Sequence, residues 1–187
     1  MIQRFDLLLS PLPGLYLLQR KPLGDARGYL QRLFCADELL PFGWSQPVAQ
    51  INHTFTLRKG TVRGLHLQLP PHAEMKLITC LRGEVWDVAV DLRTHSPTFL
   101  QWHAELLSAD NKRSYLIPAG FAHGFQALTD EVEMMYCHSQ AYAPDSELNV
   151  NAFDPQIGIT WPLTVADMSD KDLASVLLSK NFFGVGL

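Results

Sequence analysis

KLITCLRGEVWDVAVDLR, Lys76 to Arg93, is the stretch that decides the fold. It is dense in Val, Ile, Leu and Trp, residues that suit a pleated, half-buried surface. Arg82-Gly83 breaks it and offers a tight turn between two strands. Beyond the turn, the two-residue period of a strand puts Trp86, Val88 and Val90 on one face. Val85, Asp87 and Ala89 fall on the other. An acid among apolar residues fits a face that lines a cavity, and fits a solvated strand face equally well.

Working outward, further strands are expected near 48–57, 61–68, 98–107, 113–118, 123–128 and 132–142. Two stretches read as helical. Ala36 to Leu40 suits one short turn, and Ser169 to Leu178 has a capping serine followed by helix formers. The chain holds 12 prolines and 12 glycines spread evenly, so turns recur between short apolar runs. Many strands and little helix point to an all-β jelly roll, with the last short helix near the C-terminus. No repeat or low-complexity linker divides the chain, so residues 1–187 read as a single domain.

Composition narrows the function. Apolar residues make up 47% and charged residues 18%, which excludes a disordered chain. The net charge of −4 argues against bulk nucleic-acid binding, because phosphate backbones select basic faces. Asp6 and two prolines interrupt the N-terminal apolar run, so no secretory signal is expected there. No run approaches the ~20 apolar residues that span a bilayer. Cys35, Cys80 and Cys137 are odd in number and widely spaced, unlike a disulfide framework or a zinc site. A cytoplasmic location is the expectation.

Four places hold residues suited to chemistry: Arg63 to Gln68, Lys76, Ile117 to Phe125, and Tyr136. Alternation puts Gly64, His66 and Gln68 on one strand face. Pro118, Gly120 and His123 resemble the second motif of cupins, small jelly-roll barrels that often hold a metal. In metal cupins the first motif supplies a histidine pair, then a glutamate, then a glycine seven places on. Here the pair has become His66-Leu67-Gln68, and Lys76 stands seven places before Gly83. An ammonium has no lone pair and repels a divalent ion. The cupin resemblance therefore implies the barrel without the metal.

A wider ordered set is more specific. It comprises Gly24-Asp25-x-Arg27-Gly28, Gln50-x-Asn52, Arg63-Gly64-Leu65-His66-x-Gln68, Lys76-Leu77, Ser96-Pro97-Thr98 and Ile117-Pro118-x-Gly120-Phe121-Ala122-His123-Gly124-Phe125. Tyr136, Tyr142-x-Pro144, Asp154-Pro155, Ile159-x-Trp161-Pro162 and Ser169-x-Lys171-Asp172 follow. Together these resemble the dTDP-4-dehydrorhamnose 3,5-epimerase family, from about Leu23 to Asp172.

The resemblance implies a reaction and a set of roles. The family inverts carbons 3 and 5 of a nucleotide-linked 4-keto-6-deoxyhexose. Both carbons flank the ketone, so their protons can be removed if the enolate is stabilised. His66 matches the base, Asp172 the carboxylate that holds it, Lys76 the cation near the ketone oxygen, and Tyr136 the acid across the ring. Arg27, Gln50, Asn52, Arg63 and His123 match positions around the sugar and diphosphate, and Tyr142 an aromatic that stacks on the base. No metal and no cofactor are implied; a homodimer is, because the family draws part of its nucleotide pocket from the neighbouring subunit. Taken singly, each residue has a plainer reading: His66 as a structural histidine, Lys76 as a strand-end charge, Asp172 as a helix cap, Tyr136 as a strand aromatic, Arg27 and Arg63 as surface ion pairs. The joint set favours chemistry.

The chain departs from the family at Leu23, where an aromatic is usual, and at Leu30-Gln31-Arg32, where Phe-x-Glu is usual. These changes touch the expected base pocket. Two other classes compete with the epimerase: a metal-dependent cupin oxygenase or isomerase, and a catalytically silent sugar-nucleotide binder. Gln68 and Lys76 count against the first. The joint presence of His66, Lys76, Tyr136 and Asp172 counts against the second.

Overall fold

The structure, a computed structural model, describes residues 3–187. In chain order the strands are β1 (Phe5–Leu12), β2 (Leu15–Arg20), β3 (Leu23–Asp25), β4 (Gly28–Leu30), β5 (Gln50–Thr56), β6 (Val62–Gln68), β7 (Lys76–Arg82), β8 (Glu84–Asp91), β9 (Trp102–Ser108), β10 (Arg113–Ile117), β11 (Phe121–Ala127), β12 (Val132–His138) and β13 (Glu147–Asn149). Two short helices, α1 (Ala36–Leu39) and α2 (Asp170–Leu173), complete the regular structure with two 3-10 turns.

A six-stranded sheet runs β1-β2-β10-β7-β12-β5 and a five-stranded sheet β13-β6-β11-β8-β9. All their ladders are antiparallel. One core cluster joins the two sheets face to face. It takes Leu17, Ile78, Tyr115 and Met134 from the first sheet, and Val85, Leu107, Phe121 and Phe125 from the second. This is the jelly roll expected from the turn spacing. The outer face of the five-stranded sheet is covered by the C-terminal stretch through Ile157, Trp161, Met168 and Val185. The outer face of the six-stranded sheet is covered in part by Phe34, Leu39, Phe42 and Trp44.

The face split read from Val85 to Val90 holds. Val85 and Ala89 enter the core between the sheets, while Val88 and Val90 enter the cluster behind the second sheet. Asp87 sits on the inner face, fully buried. The turn at Arg82-Gly83 differs from a hairpin: β7 and β8 do not pair but lie in different sheets. Gly83 at φ 76° carries the chain from one sheet to the other.

Other elements differ from the sequence reading as well. The β1–β2 hairpin was not anticipated, since Pro11 and Pro13 mask it; Pro11 falls near the end of an edge strand, where a missing N–H is tolerated. The strand expected from residue 98 begins at Trp102, and the one expected to run to 142 ends at His138. The C-terminal helix stops after one turn. Its expected continuation is held instead by side chains from a loop: Asn151 Nδ2 donates to Ser175 O at 2.9 Å, and Leu178 N donates to Asp154 Oδ2 at 2.5 Å. Among the described residues, no helix is long and apolar enough to cross a membrane.

Candidate active site

A cavity of about 500 Å³ opens between the sheets, lined by β5, β6, β7, β11 and β12 and by the segment entering α2. His66 on β6 and His123 on β11 are cross-strand partners in the five-stranded sheet. Lys76 and Tyr136 come from β7 and β12 in the other sheet. The two groups therefore face each other across the cavity.

His66 Nε2 and Asp172 Oδ1 lie 2.6 Å apart. An ionised carboxylate only accepts, so the ring donates from Nε2 and keeps the Nδ1 lone pair free. Asp172 also accepts from Gly64 N at 3.3 Å. Burial pushes its carboxyl up, but the His66 hydrogen bond and charge, with the Gly64 amide, outweigh this and hold it below its ordinary value. The helix-capping job falls to Ser169, whose Oγ accepts from Asp172 N at 3.1 Å. That leaves the Asp172 carboxylate free for the histidine.

The β6 strand carries an irregularity that serves this site. His123 opposes His66 while Phe125 opposes Arg63, so two steps along β11 match three along β6. The extra residue brings Arg63 and His66 to the same cavity, although simple alternation separates them. Gly64 and Gly124 allow the strands to meet there. A Cβ on Gly64 would lie 2.6 Å from the Gly124 Cα, and its φ is 120°. Arg63 donates from Nε to Thr56 Oγ1 at 3.0 Å and from Nη2 to Phe55 O at 3.1 Å.

Lys76 is almost wholly buried, with Nζ 2.9 Å from His66 O and 3.0 Å from Glu74 Oε1. Two of the ammonium's three donors are thus engaged, leaving one for a ligand. Glu74 in turn accepts from Gln68 N. Tyr136 packs edge-on to His123, with centroids 5.9 Å apart, and stacks on His138 at 6.2 Å. Burial raises its phenol above the ordinary value, so it remains a proton donor at neutral pH. His123 Nε2 donates to both oxygens of Asp87, at 2.9 and 3.0 Å. Burial, opposed only in part by His123 and Lys76, pushes the Asp87 carboxyl up.

The donor set does not suit a metal. Among the described residues, no three of His, Cys, Asp and Glu gather as ligands. Gln68, at the position of a cupin ligand, spends its side chain on backbone: Nε2 donates to His72 O and Ala141 O, and Oε1 accepts from Ala143 N.

Comparison with known proteins agrees with this geometry. The sequence profile of dTDP-4-dehydrorhamnose 3,5-epimerase matches residues 10–180. The chain belongs to the dTDP-4-dehydrorhamnose 3,5-epimerase family. It is 42% identical over 177 residues to the Salmonella typhimurium dTDP-4-dehydrorhamnose 3,5-epimerase, covering 91% of this chain and 94% of that one. The Bacillus anthracis enzyme, solved with TDP and PPi bound, superposes with a TM-score of 0.89 at 38% identity, over 93% of this chain and 99% of that one. The Legionella pneumophila dTDP-6-deoxy-D-glucose-3,5-epimerase, solved with dTDP-4-keto-L-rhamnose, gives 0.87 at 39%, over 92% of each.

The residues picked out by the epimerase resemblance are mostly gathered. His66, Lys76, Tyr136, Asp172, Gln50, Asn52, Arg63, His123 and Tyr142 all line the cavity. Tyr142 stands half-exposed, with its hydroxyl donating to Glu147 at 2.9 Å. Arg27 does not line it. It lies on the exposed β3–β4 hairpin, paired with Asp25 at 2.6 Å. Leu23 and Leu30, two departures from the epimerase pattern, are exposed on the same hairpin, and Arg32 pairs with Glu38. Sequence reasoning missed His138, Glu74 and Glu147 as lining residues. A period-two count from Tyr136 along its own strand reaches His138 and was the available signal.

Proposed function

We propose that this one-domain epimerase inverts carbon 3, carbon 5 or both on a dTDP-linked 4-keto-6-deoxyhexose, as a step in deoxysugar biosynthesis. His66, oriented by Asp172, removes the proton beside the ketone. The free donor of Lys76 stabilises the enolate oxygen, and Tyr136 returns a proton to the opposite face. No metal takes part. Arg63, Gln50, Asn52 and His123 hold the sugar and diphosphate, and Tyr142 stacks on the base at the mouth.

The observation that supports this most is the opposition of a carboxylate-held histidine and a buried tyrosine on facing sheets, with a buried lysine lining the same cavity. Inversion needs a base and an acid on opposite faces of one ring. The names of the relatives support the nucleotide and the sugar. Arg27 lies outside this cavity, so the reading includes a homodimer in which the β3–β4 hairpin completes the partner's nucleotide site.

Solvent deuterium uptake tests the reaction. The chelator-treated protein is incubated in heavy water with dTDP-, CDP-, UDP- and GDP-linked 4-keto-6-deoxyhexoses, and carbons 3 and 5 are followed by NMR. Uptake with inversion on the dTDP sugar is expected. No uptake on any of them would overturn the proposal.

A further inference from the structure

His138 ends β12, two residues beyond Tyr136, and its ring lines the cavity. It is held by a relay that begins at a backbone amide. Tyr142 N donates to Gln50 Oε1 at 2.9 Å. A backbone N–H can only donate, so Gln50 presents its oxygen there and turns Nε2 toward Asn52 Oδ1, 2.9 Å away. Asn52 thus presents Nδ2 to His138 Nε2, at 3.5 Å. Each amide orientation is forced by the one before it. The end of the relay makes Nε2 an acceptor and places the ring proton on Nδ1.

The surroundings keep that ring neutral. Lys76 is its cross-strand partner on β7, His123 faces it from β11, and Tyr136 stacks on it from its own strand. Burial first, then the charges of Lys76 and His123, lower His138 to about 4. With Nε2 taken by Asn52, the one polar atom left is Nδ1–H, which no hydrogen bond among the described residues engages. Lys76 and Arg63 bring charge to the cavity. His138 brings a neutral, directional donor between the reaction end at Tyr136 and the mouth at Tyr142.

We propose that His138 is a further substrate-binding residue, whose Nδ1–H donates to an oxygen of the bound nucleotide sugar between the ring that reacts and the base. This rests on reading the cavity as a sugar-nucleotide site. It adds a specificity contact that the mouth residue Tyr142 sets up through Gln50 and Asn52, so that seating the mouth loop fixes the tautomer deeper in the cavity.

The test uses two variants and one spectrum. A glutamine side chain reaches the Nε2 position, and an asparagine side chain the Nδ1 position. His138→Gln should raise KM for the dTDP-linked 4-keto-6-deoxyhexose about 10-fold, the scale of one lost hydrogen bond, with kcat held within about 3-fold. His138→Asn should keep KM within about 3-fold of the wild type, because one hydrogen bond is retained. The ring nitrogens of the wild type, read by ¹⁵N NMR, should show a protonated Nδ1 and a bare Nε2 at pH 7, and Nδ1 should shift when dTDP-sugar is added. A protonated Nε2, or a wild-type KM in His138→Gln, overturns the proposal. These results are separable from the reaction itself: if the wild type takes up no deuterium, the functional reading fails first and this contact with it. If the wild type turns over and His138→Gln binds normally, only the contact fails.

Discussion

Asp172 Oδ1 lies 2.6 Å from His66 Nε2, although 106 residues of chain separate the two. The pair is made by a one-turn helix docking its carboxylate beneath β6, with Ser169 doing the capping. Asp172→Asn would leave the shape intact but remove the charge that stabilises imidazolium. It should lower kcat by roughly 100-fold or more while the dissociation constant for dTDP stays near wild type. Steady-state kinetics beside calorimetry of dTDP binding checks this; equal loss in both would mean a structural carboxylate.

Tyr136→Phe should separate exchange from inversion. With His66 intact, the base still removes a proton and returns a deuteron to the same face. NMR in heavy water should then show label entering substrate without the inverted product accumulating, whereas His66→Ala should lose both. Inversion at wild-type rate in Tyr136→Phe would take the acid role from this tyrosine.

The close approach of β6 and β11 predicts a stability cost. A methyl at Gly64 meets backbone at 2.6 and 2.7 Å and sits at φ 120°. Neither neighbour can swing aside, so Gly64→Ala should destabilise by about 2 kcal/mol or more, visible as a fall of several degrees in Tm. Because the extra residue of β6 also aims Arg63, dTDP affinity should fall in the surviving protein.

His138 gives acid sensitivity a defined window. Its folded value of about 4 lies below the ordinary 6.5. The neutral ring therefore favours the folded state fully above about pH 6.5, and stability is lost as pH falls toward 4, by about 3 kcal/mol at most. Asp172 adds its own loss only lower, as pH falls through its depressed value. Urea midpoints at pH 7 and pH 4.5 should converge in His138→Leu and differ in the wild type; an equal drop in both would assign the acid loss elsewhere.

Much of this was legible in the chain. The alternation from Val85 to Val90 gave both faces of β8, because a strand buried on two sides still keeps period two. Gln50, Asn52, Arg63, His66, Lys76, His123 and Tyr136, which line the cavity, followed from the ordered motifs, while His138 beside Tyr136 did not. What sequence could not carry were features fixed by distant contacts. The sheet change at Gly83 depends on which ladder each strand joins, and local turn chemistry is the same for a hairpin. The shortened C-terminal helix depends on Asn151 and Asp154, more than 20 residues away, competing for its backbone. Simple alternation alone would set Arg63 and His66 on opposite faces, because a bulge changes parity and only the partner strand reveals a bulge.

The sheet change at Gly83 reaches beyond topology. Since His66 stands on one sheet and Tyr136 on the other, the gap between them is the thickness of the sandwich, typically ~10 Å. That thickness is set by Leu17, Ile78, Tyr115, Val85 and Leu107, none of which lines the cavity. The core thus works as a calliper on the reaction. Trimming Leu107, which does not line the cavity, would let the jaws close or tilt, and the rate would report on packing behind the site.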